Sequence, residues 1–386
     1  MKNYFLKWLA IVIVFQISAG LLRADPVYLG YTGYVSGSSK AIGMGGAFTG
    51  IADDLNSIIY NPAGFMFSPY VNYASFNYAV YTDKSLDLNK SRTDDIWKSQ
   101  AFSFGILHRR KDGNFVWGAY GDNTYTILFT NDVNQTDSFI LPIGNPGDNY
   151  QMKFSIGSFD IPLIWRLKEN LSVAVNWKLM GLGLTYNQKT ATTQTDLAQN
   201  PGALSLDGSM MYKIKDNLKF GLLISPSMYF DVNESLNNYI PGFKWFYDVS
   251  VPVQVNTGIG YTPNDRFLFD FDLDYAKFRG DEILVGSNLV PNFTTYKLAR
   301  TSVISPHLGG QYKTELFGRD FFIRLGYYYQ PNLFEGLDSK NHVTFSFSWD
   351  AIKLPKFLLF PYLSLGYSKD IAYNYDVQMV TIDSGF

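Results

Sequence analysis

The sequence of 386 residues predicts an all-β protein, an antiparallel transmembrane β-barrel of about 14 strands of the outer-membrane kind. Three observations predict this fold. Aromatic residues make up 17% of the chain, yet its mean hydropathy is only −0.07, which is too polar for a helical membrane protein. Several stretches alternate apolar and polar side chains with a period of two. Short and long polar connections alternate along the chain, as the periplasmic turns and the outside loops of such barrels do.

The N-terminal residues 1–24 have the pattern of a cleaved signal peptide. Lys2 and Lys7 supply positive charge, the run Trp8–Ile17 is almost entirely apolar, and Ala24 is a small residue at a cleavage position. The apolar run is shorter than the roughly 20 residues that a spanning helix needs. We therefore expect export, and a barrel formed by residues 70–386 in the outer membrane of a diderm bacterium.

The alternation is strongest in Phe267–Tyr275 and His342–Trp349. In the first stretch, aromatic and leucine residues occupy one face while Asp270, Asp272 and Asp274 occupy the other. Because successive side chains of a strand point to opposite faces, one face would contact outer-membrane lipids and the other the lumen. A charge against lipid costs several kcal/mol, so we expect the aspartates to face the lumen. There they would attract cations, or pair with Lys and Arg of neighbouring strands. Val249–Val255 alternates in the same way.

The connections between these stretches fall into two groups. The shorter ones are polar turns at Arg110–Asn114, Arg166–Asn170, Lys213–Asn217 and Thr262–Arg266, with longer breaks at Lys313–Asp320 and Asp350–Lys356. Between them lie long loops at Thr82–Trp97, Asn131–Asn149, Asn187–Gly202, Asp231–Lys244 and Arg279–Lys297. The segments left between connections have the roughly 9–11 residues that a tilted strand needs to cross a membrane.

Little in the sequence points to catalysis, a metal, a cofactor or a nucleic acid. The formal charge of −2 provides no basic footprint for nucleic acid, and cysteine is absent. None of the three histidines lies in a metal-ligand spacing. His342 precedes Thr344 and Ser346, which raises the alternative of a Ser/His hydrolase. We favour the simpler interpretation of a polar residue at a strand end, and we predict no enzyme.

One segment, Gly37–Ser68, interrupts the strand pattern with small and Gly-rich sequence. Its runs Ala41–Gly46, Ala52–Asp54 and Asn61-Pro62-Ala63-Gly64 resemble the FadL-type family of outer-membrane transporters for long-chain fatty acids and other hydrophobic compounds. Stretches around Val251–Tyr261, Phe269–Phe278, Ile323–Tyr327 and Asn341–Trp349 are also similar to that family. The resemblance implies a 14-stranded barrel plugged by a hatch, here residues 25–69, with Asn61, Pro62, Ala63 and Gly64 in the plug.

The resemblance also implies a hydrophobic small-molecule ligand. A carboxylate ligand needs cations, and Arg324, Lys178 and Arg166 are candidates by their predicted facing. The loop 237–246 is unusually apolar for an exposed loop, through residues that include Tyr239, Phe243, Trp245 and Phe246. This loop would either capture a hydrophobic compound from outside or anchor the barrel in the membrane interface.

We therefore predict passive uptake of hydrophobic molecules such as long-chain fatty acids through a hatch-gated barrel. The alternative is a scaffold or protein partner in secretion, because a PorV-type branch of the same superfamily resembles the hatch equally well. A general porin is disfavoured, because a Gly-rich plug before the first strand would obstruct an open pore.

Overall fold

The structure is a computed structural model that describes residues 26–27, 37–83, 97–131, 149–189, 194–230, 248–278, 282–285, 294–297, 300–332, 339–353, 362–372 and 375–385. Fourteen strands form its barrel. They are β1 (Asn72–Asp83), β2 (Trp97–Arg109), β3 (Phe115–Asn131), β4 (Asn149–Lys168), β5 (Leu171–Lys189), β6 (Gly202–Lys215), β7 (Leu218–Ser225), β8 (Val253–Asn264), β9 (Phe267–Lys277), β10 (Ser302–Leu316), β11 (Arg319–Gln330), β12 (Lys340–Lys353), β13 (Tyr362–Ala372) and β14 (Tyr375–Gly385).

Each strand pairs antiparallel with the next, and β14 pairs with β1, so the sheet closes on itself. The closing ladder runs from Tyr73 opposite Gly385 to Asp83 opposite Tyr375. Closure gives both edges of the sheet a partner, which is how a barrel satisfies its backbone without water. The predicted fold class, a 14-stranded antiparallel barrel, is confirmed.

The side chains are arranged with apolar groups outside and polar groups inside. On β9 the outward Phe269 and Phe271 are 45% and 44% exposed, whereas Asp270 and Asp272 between them are 1% and 0% exposed. On β12 the outward Val343 is 58% exposed and the inward Thr344 is fully buried. The apolar face of the predicted alternation therefore points outward, toward lipid, and its polar face points into the lumen.

The connections divide the barrel into two ends, which we call the short-turn end and the long-loop end. The short-turn end carries the connections after β2, β4, β6, β8, β10 and β12, and the long-loop end carries the others. At the predicted break Lys313–Asp320 the sequence prediction was wrong, since only Phe317 and Gly318 separate β10 from β11. Both have positive φ, 52° and 69°, as a two-residue hairpin turn requires.

A second correction concerns the alternating stretch Val249–Val255. The structure divides it at Pro252, with a short strand Asp248–Val251 on one side and β8 beginning at Val253 on the other. Proline lacks the N–H that a continuous ladder needs. The short strand pairs instead with Met228–Phe230 and Pro26–Val27, outside the barrel ladder.

The lumen is occupied by the segment 37–69, which we call the inner segment. It contains helix α1 (Ser39–Gly43), helix α2 (Ser57–Tyr60) and a 3-10 helix at Pro62–Phe67. Its apolar side chains are almost completely buried, and they include Ile42, Phe48, Leu55, Ile58, Phe65 and Met66. It hydrogen-bonds to wall residues around the circumference, from Arg109 on β2 to Thr381 on β14.

Other strands of the described residues extend the long-loop end. Gln194–Gln199 pairs with the upper part of β5, and Glu282–Val285 pairs with Thr294–Lys297. Among the described residues, no helix combines the length and hydropathy needed to cross a membrane. The predicted signal peptide 1–24, and the loop residues Tyr239, Phe243, Trp245 and Phe246, lie outside the described residues. The boundaries at residues 24 and 69 stay predictions.

Candidate functional site: the contact between inner segment and barrel wall

The inner segment first folds on itself through a buried polar network. Ser38 caps α1 by accepting a hydrogen bond from the backbone N–H of Lys40. The Asn56 side chain then joins the start of the segment to its middle, because its Oδ1 accepts from the Ser38 N–H at 2.7 Å and its Nδ2 donates to Asp54 Oδ1 at 2.6 Å. Polar groups buried with partners of this kind give a unique local structure, since an unpaired group would be costly.

Two aspartates of β9 hold the middle of the inner segment. Asp272 Oδ2 accepts hydrogen bonds from the backbone N–H groups of Phe48 and Thr49, both at 2.7 Å. Asp270 Oδ2 accepts from the Gly50 N–H at 3.2 Å. These carboxylates therefore satisfy backbone donors of the inner segment, which neither predicted role for the β9 aspartates anticipated.

The third aspartate, Asp274, lies beside the first of a series of stacked rings on neighbouring strands. Its Oδ2 lies 3.4 Å from His307 Nε2, and the His307 ring stacks on Tyr328 with centroids 5.3 Å apart. His307 Nδ1 lies 2.7 Å from the carbonyl oxygen of Gly45. A carbonyl only accepts, so we assign the proton to Nδ1 and make His307 a donor to the inner segment.

The stack continues from Tyr328 to His342, with ring centroids 4.1 Å apart. His342 Nδ1 lies 2.9 Å from Asp370 Oδ1, whereas its Nε2 lies 3.1 Å from Gln330 Oε1. A Ser/His hydrolase needs that second nitrogen beside a nucleophilic hydroxyl. The geometry places an amide there instead, which gives no support to the hydrolase alternative. In the described part of the chain, no cluster of three or more His, Asp or Glu side chains has the arrangement of a metal site.

The predicted motif Asn61-Pro62-Ala63-Gly64 forms the next contact with the wall. Asn61 Nδ2 donates to the Thr49 carbonyl and to the Met210 carbonyl of β6, both at 3.0 Å. Ala63 is held from two strands, with its N–H 3.1 Å from Ser209 Oγ and its carbonyl 2.7 Å from Ser172 Oγ. Pro62 starts the 3-10 helix, where its missing N–H costs nothing.

The last turn of the 3-10 helix contacts two arginines at the short-turn end. Arg109 Nη2 donates to the carbonyls of Phe65 and Ser68, each at 2.8 Å. Arg166 Nη2 donates to the carbonyl of Met66 at 3.1 Å. Arg166 was predicted as a candidate for a ligand carboxylate, and the structure places it against the inner segment.

Glycines let the inner segment approach the wall backbone. A Cβ on Gly326 would lie 2.2 Å from Gly45 N and 2.3 Å from Met44 C, and a Cβ on Gly221 would lie 2.0 Å from the Thr49 carbonyl oxygen. The same crowding occurs at further wall glycines: Gly258, Gly260, Gly309 and Gly366. Such distances exclude any larger residue unless the inner segment moves.

Two neighbouring carboxyl groups of the inner segment, Asp53 and Asp54, have pKa values shifted in opposite directions. Lys40 Nζ lies 2.5 Å from Asp53 Oδ1. Burial alone would raise the pKa of Asp53, but the Lys40 ammonium offsets it and holds that pKa below its usual value. For the neighbouring Asp54 burial dominates, and it raises the pKa of this carboxyl to about 6. The segment therefore contains one carboxyl group that titrates near neutral pH.

The two other predicted cations also have partners within the wall. Lys178 Nζ lies 2.9 Å from Asp207 Oδ2 and 3.9 Å from Asp160 Oδ1. Arg324 donates from Nε to Gln311 Oε1 at 2.7 Å and from Nη1 to Ser348 Oγ at 2.9 Å. The structure does not bring Lys178 and Arg324 together in one site. Their predicted role toward a ligand stays a prediction.

The described part of the barrel wall has an interrupted ladder between β2 and β3. Their ladder ends at Phe102 opposite Asn123, although β2 begins at Trp97 and β3 continues to Asn131. A bulge in the β3–β4 ladder falls at the same level, between Asn123 and Tyr125. Among the described pairings, this pair of strands therefore separates toward the long-loop end. A bulge re-aims a strand and ends local pairing.

Solved structures with similar folds span nearly the whole chain. A FadL homologue from Pseudomonas aeruginosa superposes with a TM-score of 0.65 at 11% identity, over 92% of this chain and 99% of its own. The Ralstonia pickettii toluene transporter TbuX matches with 0.62 at 11% identity, over 91% and 98%. The Pseudomonas putida toluene transporter TodX matches with 0.60 at 13% identity, over 94% and 98%.

The chain thus has the fold of these FadL-type barrels, and the fold resemblance inferred from the sequence is confirmed. No family model matches the sequence. No curated protein matches it either. TbuX and TodX are named as toluene transporters, and at these identities the similar structures establish the fold alone.

Proposed function

We propose that this protein is an outer-membrane channel for passive uptake of hydrophobic compounds, with the inner segment as its hatch. One observation carries the proposal. The inner segment lies in the lumen, where its apolar side chains pack against the wall, and it is joined to the wall by hydrogen bonds at Asp272, His307, Thr344, Thr381 and the Asn61–Gly64 motif. Hydrogen bonds of this kind contribute about 1 kcal/mol each, so the segment can exchange them for water without unfolding the barrel.

The names of the similar solved structures support the chemistry of the cargo. They include proteins named as toluene transporters and a FadL homologue. We propose that the separation of β2 from β3 serves as a second opening, through which an apolar molecule passes between lumen and lipid. Long-chain fatty acids remain the specific cargo that we propose, with outer-membrane lipids around the barrel.

Uptake by cells tests this function. Cells lacking their own hydrophobic transporter would express the full chain, a variant lacking residues 37–68, or neither, and would receive labelled oleate or toluene. We expect the full chain to raise uptake of at least one probe above the background. A deletion variant that assembles as a barrel should also admit a water-soluble dye that the full chain excludes.

The scaffold alternative has a distinct outcome. If neither probe enters faster than the background while the barrel is assembled, the channel proposal fails. A protein copurifying in stoichiometric amount would then favour the PorV-type role. Unchanged uptake and dye exclusion in the deletion variant would contradict the claim that the inner segment is a hatch, and the channel proposal would stand.

A further inference from the structure

Two arginines converge on one turn of the inner segment at the short-turn end. Arg109 ends β2, Arg166 lies near the end of β4, and their Nη2 atoms contact the carbonyls of the consecutive residues Phe65 and Met66. Arg109 also contacts the Ser68 carbonyl and lies 5.8 Å from the centroid of the Phe65 ring. Two guanidinium groups thus share the last turn of one short helix, although like charges repel each other.

No carboxylate of the described residues neutralises either guanidinium group. No ion pair of the described residues involves Arg109 or Arg166, in contrast to Lys40 and Lys178. Their Nε atoms are both buried and lack a hydrogen-bond partner, and they are the only nitrogens among the buried unpartnered side-chain atoms of the described chain. A buried cationic donor without an acceptor is costly, and an anion would remove that cost.

The surrounding turns carry excess positive charge. In residues 109–112, 166–169 and 213–216 there are seven basic residues against three acidic ones. The basic residues are Arg109, Arg110, Lys111, Arg166, Lys168, Lys213 and Lys215. The turn Phe317–Gly318 on the other half of the barrel lies between Lys313, Arg319, Glu315 and Asp320, which balance each other. The excess charge would raise the local concentration of anionic molecules at this part of the rim.

We propose that Arg109 and Arg166 form a binding site for the carboxylate group of an anionic amphiphile, of the long-chain fatty acid kind. This inference rests on the proposed function and names the ligand group that the channel recognises at its short-turn end. A carboxylate matches the planar fork of a guanidinium and forms charge-assisted hydrogen bonds, which are stronger than bonds to neutral carbonyls.

Binding at this site would also act on the hatch. The carboxylate competes with the Phe65, Met66 and Ser68 carbonyls for the same two guanidinium groups. Ser68 lies four residues before β1, so these contacts hold the stem that connects the inner segment to the barrel. Replacing them by a ligand that has passed the inner segment keeps the stem released, so binding at this end favours the displaced position of the inner segment.

The test compares an acid with the alcohol of the same length. The purified full chain in a neutral detergent would be titrated with dodecanoate, dodecanol and acetate. We expect dodecanoate to bind at least about ten-fold more tightly than dodecanol, the margin of one charge-assisted bond. Arg109→Gln and Arg166→Gln should each remove most of that preference and leave dodecanol binding unchanged. Arg110→Gln is the matched control, because Arg110 is exposed and pairs with Asp112 in the same turn.

A second measurement needs no variant. Dodecanoate, but not dodecanol, should accelerate amide exchange at residues 65–68 of the unaltered protein. Equal binding of acid and alcohol would overturn this inference while the proposed function stands. Acetate binding as tightly as dodecanoate would also overturn it, because the site would then be one for small anions. An equal loss of the preference for dodecanoate in Arg110→Gln would overturn it as well, because general surface charge would then explain the binding. If neither the acid nor the alcohol binds, this inference fails, and the uptake experiment with oleate and toluene decides the proposed function.

Discussion

Asp272 of the barrel wall and Phe48 of the inner segment are joined by a hydrogen bond of 2.7 Å from backbone amide to carboxylate, and the same oxygen accepts a second amide from Thr49. We predict that Asp272→Ala loosens the middle of the inner segment. It leaves two buried donors unsatisfied, at about 1–3 kcal/mol each. Amide exchange at Phe48 and Thr49 should accelerate by at least about ten-fold.

Asp272→Asn separates charge from hydrogen bonding in that experiment. Its remaining carbonyl oxygen can still accept both amides, so we expect exchange close to that of the unaltered protein. The exposed turn residue Asp265 provides the control, as Asp265→Ala. Equal exchange in all three variants would show that the carboxylate does not hold the segment.

The wall glycines predict a steric way to displace the inner segment. Gly326→Ala places a methyl group 2.2 Å from Gly45 N, whereas Gly181→Ala meets no atom within 4 Å. We expect Gly326→Ala to assemble as a barrel with the inner segment displaced, seen as faster protease cleavage within residues 37–69. Gly181→Ala should behave as the unaltered protein. Equal cleavage of the two variants would contradict close packing at Gly326.

The raised pKa of Asp54 predicts that the inner segment is held more weakly as pH rises. Burial raises this pKa from 3.8 to about 6, so between these values the docked segment binds more protons than the released one. Docking is therefore strongest below about pH 4 and weakens as pH rises through 6. The lowered pKa of Asp53 acts in the opposite sense, at more acidic pH.

Asp54→Asn isolates this contribution from the other charged groups nearby, which are Lys40, Asp53, Arg324 and Asp383. The asparagine oxygen can still accept from Asn56, and it does not titrate. The ratio of amide exchange rates between the unaltered protein and Asp54→Asn should therefore rise between pH 4.5 and 7. A ratio that is constant over this range would contradict the assignment.

Local patterns predicted the barrel because lipid and lumen impose them on every strand. The alternation of Phe269 and Phe271 with Asp270 and Asp272 specified both a strand and its facing. Pro252 was also visible in the sequence, and its missing N–H was a signal that the stretch Val249–Val255 is divided. The two-residue turn at Phe317 was harder to predict, because a phenylalanine rarely adopts positive φ.

Contacts between distant residues could not be predicted in the same way. Asp272 meets Phe48 across more than 200 positions of sequence, and no local period relates them. Lys178 was predicted as a ligand cation from its facing, but the strand register places Asp160 opposite it on β4 and Asp207 diagonally across from it on β6. Arg109 was not predicted at all, because its position at the end of a strand resembles that of any other turn cation.

The central claim is that the inner segment must move for a ligand to pass. The chain contains no cysteine, so a single disulfide can test this claim. A Cβ on Gly366 would lie 3.1 Å from Ser39 Cβ, slightly closer than the roughly 3.5–4.5 Å of disulfides, so Ser39→Cys with Gly366→Cys can link α1 to β13 after a small shift. The reduced double variant and Ser39→Cys alone under oxidant are the controls.

Uptake of labelled oleate and toluene by this double variant is the most direct measurement. We predict that oxidation lowers uptake to the background of cells without the protein, and that a reductant restores it. Full uptake through a protein whose disulfide has been verified by mass spectrometry would contradict the hatch. Passage would then occur without movement of α1.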